Sequence, residues 1–249
     1  MPTPSHPLEG SDALLRRARV HADELAAAES EFRNTWPWRV EWRQEGEWAV
    51  FRAVITRPAP LELSVIMAEV IHEMRASLDH LTIAVARLRD PKATRVPFPF
   101  HRNIDDFAKW QRKHGSQFEP DQLEAIRCNL FEPHWEPTDL LWSIAQFDDC
   151  TKHEVVPPAY AVMPVYGVVG DAEVEFYPSE QIQDGTRICR MRSEPGAKVV
   201  GTFDLELAYI RPRSRPMDRL LFRRSTLEAM LSRVGIVAGD VQRATTQWR

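Results

Sequence analysis

Between Leu61 and Arg89 the apolar residues Met67, Ile71, Met74, Leu78, Leu81, Val85 and Leu88 recur at alternating spacings of four and three. That spacing lays one apolar stripe along a helix, and no Gly or Pro interrupts it, so the stretch reads as a buried amphipathic helix. At about 100° per residue, His72, Arg75 and Asp79 fall on one flank of the stripe. Glu69, Glu73 and His80 fall on the other.

The remaining pattern predicts elements around this helix. Ser11 or Asp12 caps a helix running to about Asn34, with Leu14, Leu15, Ala18, Leu25 and Phe32 as its apolar positions. The Pro-rich residues 1–10 before it read as disordered. Trp38, Val40 and Trp42 alternate with charged residues, a Gly-containing turn follows, and Trp48 to Thr56 is rich in β-formers, which predicts a hairpin. Its tryptophans are expected on one packed sheet face. Pro91 closes the central helix, and Val96 to Phe100 reads as an extended tether pinned by its phenylalanines. Further helices are expected over Ile104 to His114, from near Pro120, over Asp139 to Phe147, and from about Met217 to Thr245 with Gly235 and Gly239 in its middle. From Val155 to Ile210 the period changes to two, giving four strand candidates with turns at Asp184-Gly185 and Pro195-Gly196. The fold class is therefore α+β: a helical bundle with a Trp-rich hairpin and an antiparallel sheet. Residues 1–153 form its mainly helical part with the hairpin at 37–57, and 154–249 carry the sheet and a helix that returns to the bundle, as a second domain or as part of the same one.

Composition narrows the function classes. The 249 residues suffice for one large domain or two small ones, and a net charge of −4 excludes a generally cationic nucleic-acid coat. Charge is unevenly spread: Arg211 to Arg224 hold six Arg and one Asp, a local +5 that suits either phosphate contact or a solvated linker. Cys128, Cys150 and Cys189 are distant from one another, so neither a disulfide framework nor a structural zinc site is expected. There is no signal-peptide pattern and no apolar run of the roughly 20 residues a membrane span needs, which implies a cytoplasmic protein that makes no membrane contact.

Chemistry concentrates in three places. Arg75-Ala-Ser-Leu-Asp79-His80 holds a guanidinium and an imidazole suited to metal-free phosphodiester cleavage, in which His80 moves a proton and Arg75 stabilises charge on the phosphorane. The two lie about 140° apart on a helix, so both address one atom only if the helix bends or two copies meet in a homodimer. The alternative is an Arg75–Asp79 pair at i and i+4, with His80 bonded to a neighbour. Asp148-Asp149-Cys150-Thr151-Lys152-His153 ends a helix, where Lys152 and His153 either complement the helix dipole or contact phosphate. If that end meets the central helix, Arg75, Asp79, Lys152 and His153 form one polar cluster, catalytic or structural. A metal reading uses Glu69, Glu73 and His80, or Glu69 with His72. Phosphate-loop, dinucleotide, zincin and nucleophile-elbow motifs are all missing. His6, His21, His101, His114 and His134 stand alone and read as surface or loop residues.

Arg75 to Leu81, the Pro97-Phe98-Pro99-Phe100 segment and Asp149 to His153 together resemble a set of uncharacterised bacterial and phage proteins. Their pattern is a helix ending in Arg-Ser-Ala-Leu-Asp-His-Leu, a Phe-Pro segment and a helix ending in Asp-Lys-His. The resemblance covers about Pro58 to Val156. The Arg-x4-His element also resembles the motif of the HEPN superfamily, helical domains that include dimeric RNases of toxin–antitoxin and antiphage systems. Here the residue after the Arg is Ala76, where those RNases usually carry a polar one. The resemblance implies an RNA-binding or metal-independent RNA-cleaving homodimer of a bacterial stress or defence system, needing no cofactor. Arg75 and His80 would be its catalytic pair and Asp79 the orienting residue, with Lys152 and His153 as auxiliaries. Arg211, Arg213 and Arg215 would hold the RNA backbone.

Overall fold

Six of the seven stripe residues, Met67 through Val85, are 0–1 % exposed, and only Leu88 at the last turn faces solvent. In the computed structural model, residues 8–131, 140–152, 158–162, 173–177, 182–192, 205–210 and 221–246 are described. Among them the helices are α1 (Glu9–Asn34), α2 (Leu61–Arg89), α3 (Ile104–His114), α4 (Pro120–Phe131), α5 (Leu140–Thr151) and α6 (Arg224–Thr246). The strands are β1 (Trp38–Glu45), β2 (Trp48–Ile55), β3 (Pro158–Val162), β4 (Val174–Phe176), β5 (Arg187–Arg192), β6 (Leu205–Ile210) and β7 (Leu221–Phe222). The class is α+β, as the change of period along the chain predicts.

The chain divides into two compact units. One takes Met1–Leu25, Val65–Val155 and Ser225–Arg249, the other Ala26–Ser64 and Val156–Arg224. This partition differs from an expected division at residue 153, because the hairpin belongs with the strands and not with the helices.

In the helical unit, α1 runs antiparallel to α2. Ser77 Oγ donates to the Ser11 carbonyl at 2.9 Å, and Arg17 reaches Glu73 at 2.7 Å. Leu8 is buried and Glu9 and Gly10 are helical, so the expectation of disorder fails at residues 8–10, and the rest of that stretch lies outside the described residues. After α2 the chain is fastened by its backbone as well as by the buried Phe98. Thr82 Oγ1 donates to Val96 O at 2.7 Å, Trp110 Nε1 donates to Pro97 O at 2.9 Å, and the Phe98 amide donates to Asp79 Oδ1 at 2.8 Å. Asn103 caps α3 by accepting the Asp106 amide at 2.9 Å. The last helix joins the same unit: Asn129 Nδ2 donates to Asp240 Oδ2 at 2.8 Å, and Arg233 donates to the Asn129 carbonyl. α6 passes through Gly235 and Gly239 unbroken. It begins at Arg224, not near Met217, because Leu221 and Phe222 pair with Ile210 and Tyr209 as strand β7.

The second unit holds two antiparallel sheets, of order β1-β2-β5-β4 and β3-β6-β7. The hairpin turns at Gly46, whose φ of 63° favours glycine, and β2 then pairs with β5 as well as with β1. Val40, Ala49, Phe51, Val174, Cys189 and Met191 form one apolar cluster. The expectation that the nearby tryptophans share one face holds for Trp38 and Trp42, which alternate with Val40, Trp42 lying opposite Phe51 though 43 % exposed. It fails for Trp48, which lies on the other face under Arg190, whose Cζ is 4.2 Å from the ring centroid, and for Trp36, which precedes the sheet and is exposed. The turn at Gly185 forms as predicted, whereas Pro195-Gly196 lies outside the described residues.

Candidate functional site

The flank of α2 carrying His72, Arg75 and Asp79 meets the last turn of α5. Asp148 stands at the centre, its side chain fully buried, with three cationic or donor groups converging on it. His72 Nδ1 lies 2.7 Å from Oδ1, Arg75 Nη1 donates to Oδ2 at 2.9 Å, and Lys152 Nζ reaches Oδ2 at 2.5 Å. An ionised carboxylate only accepts, so His72 carries its proton on Nδ1 here. Arg75 Nη1 also donates to Asp149 and to Ala145 O, and Nε sits 3.9 Å from Asp79 Oδ2. The guanidinium further lies over Phe100, 5.7 Å from its centroid, so the Phe-Pro segment forms part of the same cluster.

The local sequence explains the convergence. Asp148 and Lys152 are one helical turn apart, and α5 extends through Thr151, so the run from Asp148 forms the end of this helix as its sequence suggests. That last turn is what brings Asp148 and Asp149 opposite His72 and Arg75.

Electrostatics follow from burial and charge. Burial alone would raise the Asp148 carboxyl, yet the bonds from Lys152 and His72 and the charges of Lys152 and Arg75 outweigh it and leave its pKa lowered. Asp79 goes the other way: burial, with Asp148 nearby, raises it despite the Phe98 amide and the Arg75 charge. Arg75 is held more firmly protonated, since the bond and charge of Asp149 and the charges of Asp148 and Asp79 exceed the effect of burial.

Comparison with protein-family models, with curated proteins and with solved structures returns no match for this chain. Its chemistry is therefore read from its own residues.

Of the residues expected to act, the fold brings together Arg75, Asp79 and Lys152. His80 stands apart: it is exposed, and its Nδ1 lies 3.4 Å from where a Cβ on Gly10 would sit, at the start of α1. One chain thus does not aim Arg75 and His80 at a common atom. His153, Arg211, Arg213 and Arg215 lie outside the described residues. The candidate metal ligands are also divided. His72 turns to Asp148, while Glu69 and Glu73 approach His21 Nδ1 at 3.9 and 3.1 Å. The Glu73 contact is close enough for ion pairing but off-line for a hydrogen bond. Among the described residues no group of three His, Cys, Asp or Glu side chains is arranged to hold a metal.

Sequence reasoning missed Asp148 as the hub and His72 as its partner. The i,i+4 spacing of Asp148 and Lys152 was the available signal. It also misread two lone histidines, for His21 is largely enclosed beside Glu73 and His114 is buried. The described residues include no helix long and apolar enough to cross a membrane.

Proposed function

We propose that the protein is a HEPN-like RNA-binding protein in which Arg75 serves the fold and cuts no RNA. The observation that carries this is the charge around Arg75. Its guanidinium faces Asp148, Asp149 and Asp79, with Lys152 as the second cation bound to Asp148. Three carboxylates against two permanent cations leave no surplus positive charge for a phosphorane, which phosphodiester cleavage requires. RNA as the partner is supported by the Arg-x4-His resemblance and by the arginine-rich run Arg211 to Arg224. The protein acts through binding, and the α2–α5 cluster keeps the helices in register.

A second reading has one observation in its favour. His80 is open to solvent on the other flank of α2, accessible to another copy of the chain, so a homodimer would supply the missing geometry for metal-free cleavage. Incubation of purified protein with tRNA in EDTA, beside His80→Ala, separates the two. Intact RNA with retarded mobility for both proteins is the expected result. Cleavage that survives EDTA and disappears in folded His80→Ala would establish the RNase instead.

A further inference from the structure

We propose that strand β1 is a dimer interface, pairing antiparallel with β1 of a second copy of the chain about a two-fold axis at Trp42; this interface does not depend on the RNA-binding reading above. β1 ends the four-stranded sheet, with β2 on one side and no strand on the other among the described residues. Its eight residues pair with β2 in one regular register, from Trp38↔Ile55 to Glu45↔Trp48. Edge strands are commonly blunted by shortness, a bulge, Pro or Lys. The opposite edge, β4, is only three residues long, whereas β1 shows none of these devices. Its open backbone groups follow from β2. Ala53 donates to Thr186 O and accepts the Gly185 amide, both at 2.9 Å, so both of its groups turn away from β1. Its partner Val40 therefore points its own N–H and C=O to the open edge, and by alternation so does Trp42. Neither residue has a hydrogen bond on that side among the described residues.

The side chains select a second copy as the occupant. Val40 belongs to the apolar cluster, so the other face of β1 carries Arg39, Glu41, Arg43 and Glu45, alternating in sign. With Trp42 opposite its own copy, Glu41 stands opposite the partner's Arg43, and Arg39 opposite the partner's Glu45. Every cross-strand charge pair is then of opposite sign. An axis at Glu41 or at Arg43 sets like charges opposite each other, and an axis at Val40 or Gln44 matches charge again but shortens the pairing. Arg43 is exposed and has neither hydrogen bond nor ion pair among the described residues, which leaves it as a cation for a second chain. Glu41 keeps Arg39 at 2.7 Å, and Glu45 keeps Arg52 and Arg187 at 2.7 and 3.0 Å, so the new pairs extend an existing charge network. Trp42, 43 % exposed in one chain, meets its copy across the axis and is covered there. A contact of this isologous kind closes on itself and gives a dimer, not a fibre.

The test is sedimentation velocity of the full chain from about 1 to about 100 μM, the range in which so small an interface forms and dissociates. Wild type should pass from monomer to dimer. Arg43→Glu and Glu41→Arg each set like charges opposite each other on both sides of the axis, and each should weaken the dimer about tenfold. An equimolar mixture of the two variants restores opposite charges and should regain a dimer close to wild-type strength. Neither side chain is buried, so both variants should melt within about 2 °C of wild type. Where Glu41→Arg melts lower, Arg43→Glu alone decides, because its side chain loses no partner among the described residues. A wild type that stays monomeric at every concentration overturns the interface and leaves the edge to a segment of another protein. A dimer that both variants keep at full strength, or that the mixture of folded variants does not restore, places the contact elsewhere. Assemblies larger than a dimer contradict pairing about a two-fold axis.

Discussion

Asp148 decides how the helical unit responds to mutation and to pH. Its side chain is fully enclosed and bonded by His72, Arg75 and Lys152, so removing it leaves cations in a partly desolvated place. Asp148→Ala should cost about 3 kcal/mol, and for a chain of this size that lowers the melting temperature by about 6–12 °C. The acid response has a definite sign. A carboxyl whose folded pKa lies below its ordinary 3.8 contributes stability above that value and loses it as pH falls toward the folded pKa. Asp79, raised from 3.8, acts oppositely and gains stability as pH falls through its folded pKa. Wild type should therefore weaken below about pH 4, and Asp148→Asn should show a shallower loss there, measured by denaturant titration at successive pH values. Equal acid slopes would remove Asp148 from the centre of the network.

At the scale of elements, α3 offers a clean case of local determination. Asn103 Oδ1 accepts the Asp106 amide, so Asn103→Ala should cost about 1 kcal/mol with no effect on RNA affinity. Elements of this kind are legible in the sequence: Leu61–Arg89 follows from its apolar period and flanking Pro, and Ile104–His114 has the bounds expected of it, although its Asn103 cap shows only in the structure. Less legible are facts fixed by pairing between distant segments. The hairpin has the period of a strand pair, but nothing local states that β2 also accepts β5. Leu221 and Phe222 continue an apolar pattern that a helix would also satisfy, and only their pairing with β6 makes them a strand. The candidate site divides the same way. The flank holding His72, Arg75 and Asp79 follows from helical geometry, whereas the partner carboxylate Asp148 depends on how far α5 continues.

For the whole molecule, the net charge of −4 means that any RNA contact depends on local cationic surface. Affinity for RNA should then fall steeply between low and moderate salt, by roughly tenfold or more if several phosphates are contacted, and a flat response would exclude a phosphate-led interface. The interleaved partition of the chain has a further consequence, because each unit is assembled from separated segments. A cut at residue 153 therefore divides both units, and neither fragment should show a cooperative melt by circular dichroism. The central claim is that Arg75 holds the fold while His80, exposed beside Gly10, does not. The most direct test is thermal denaturation of Arg75→Ala beside His80→Ala. Arg75→Ala should melt about 5–10 °C below wild type, since it strips a cation from the buried Asp148, and His80→Ala should stay within about 2 °C. An Arg75→Ala protein that melts like wild type but has lost an RNA-cleaving activity would contradict the account and make Arg75 a catalytic residue.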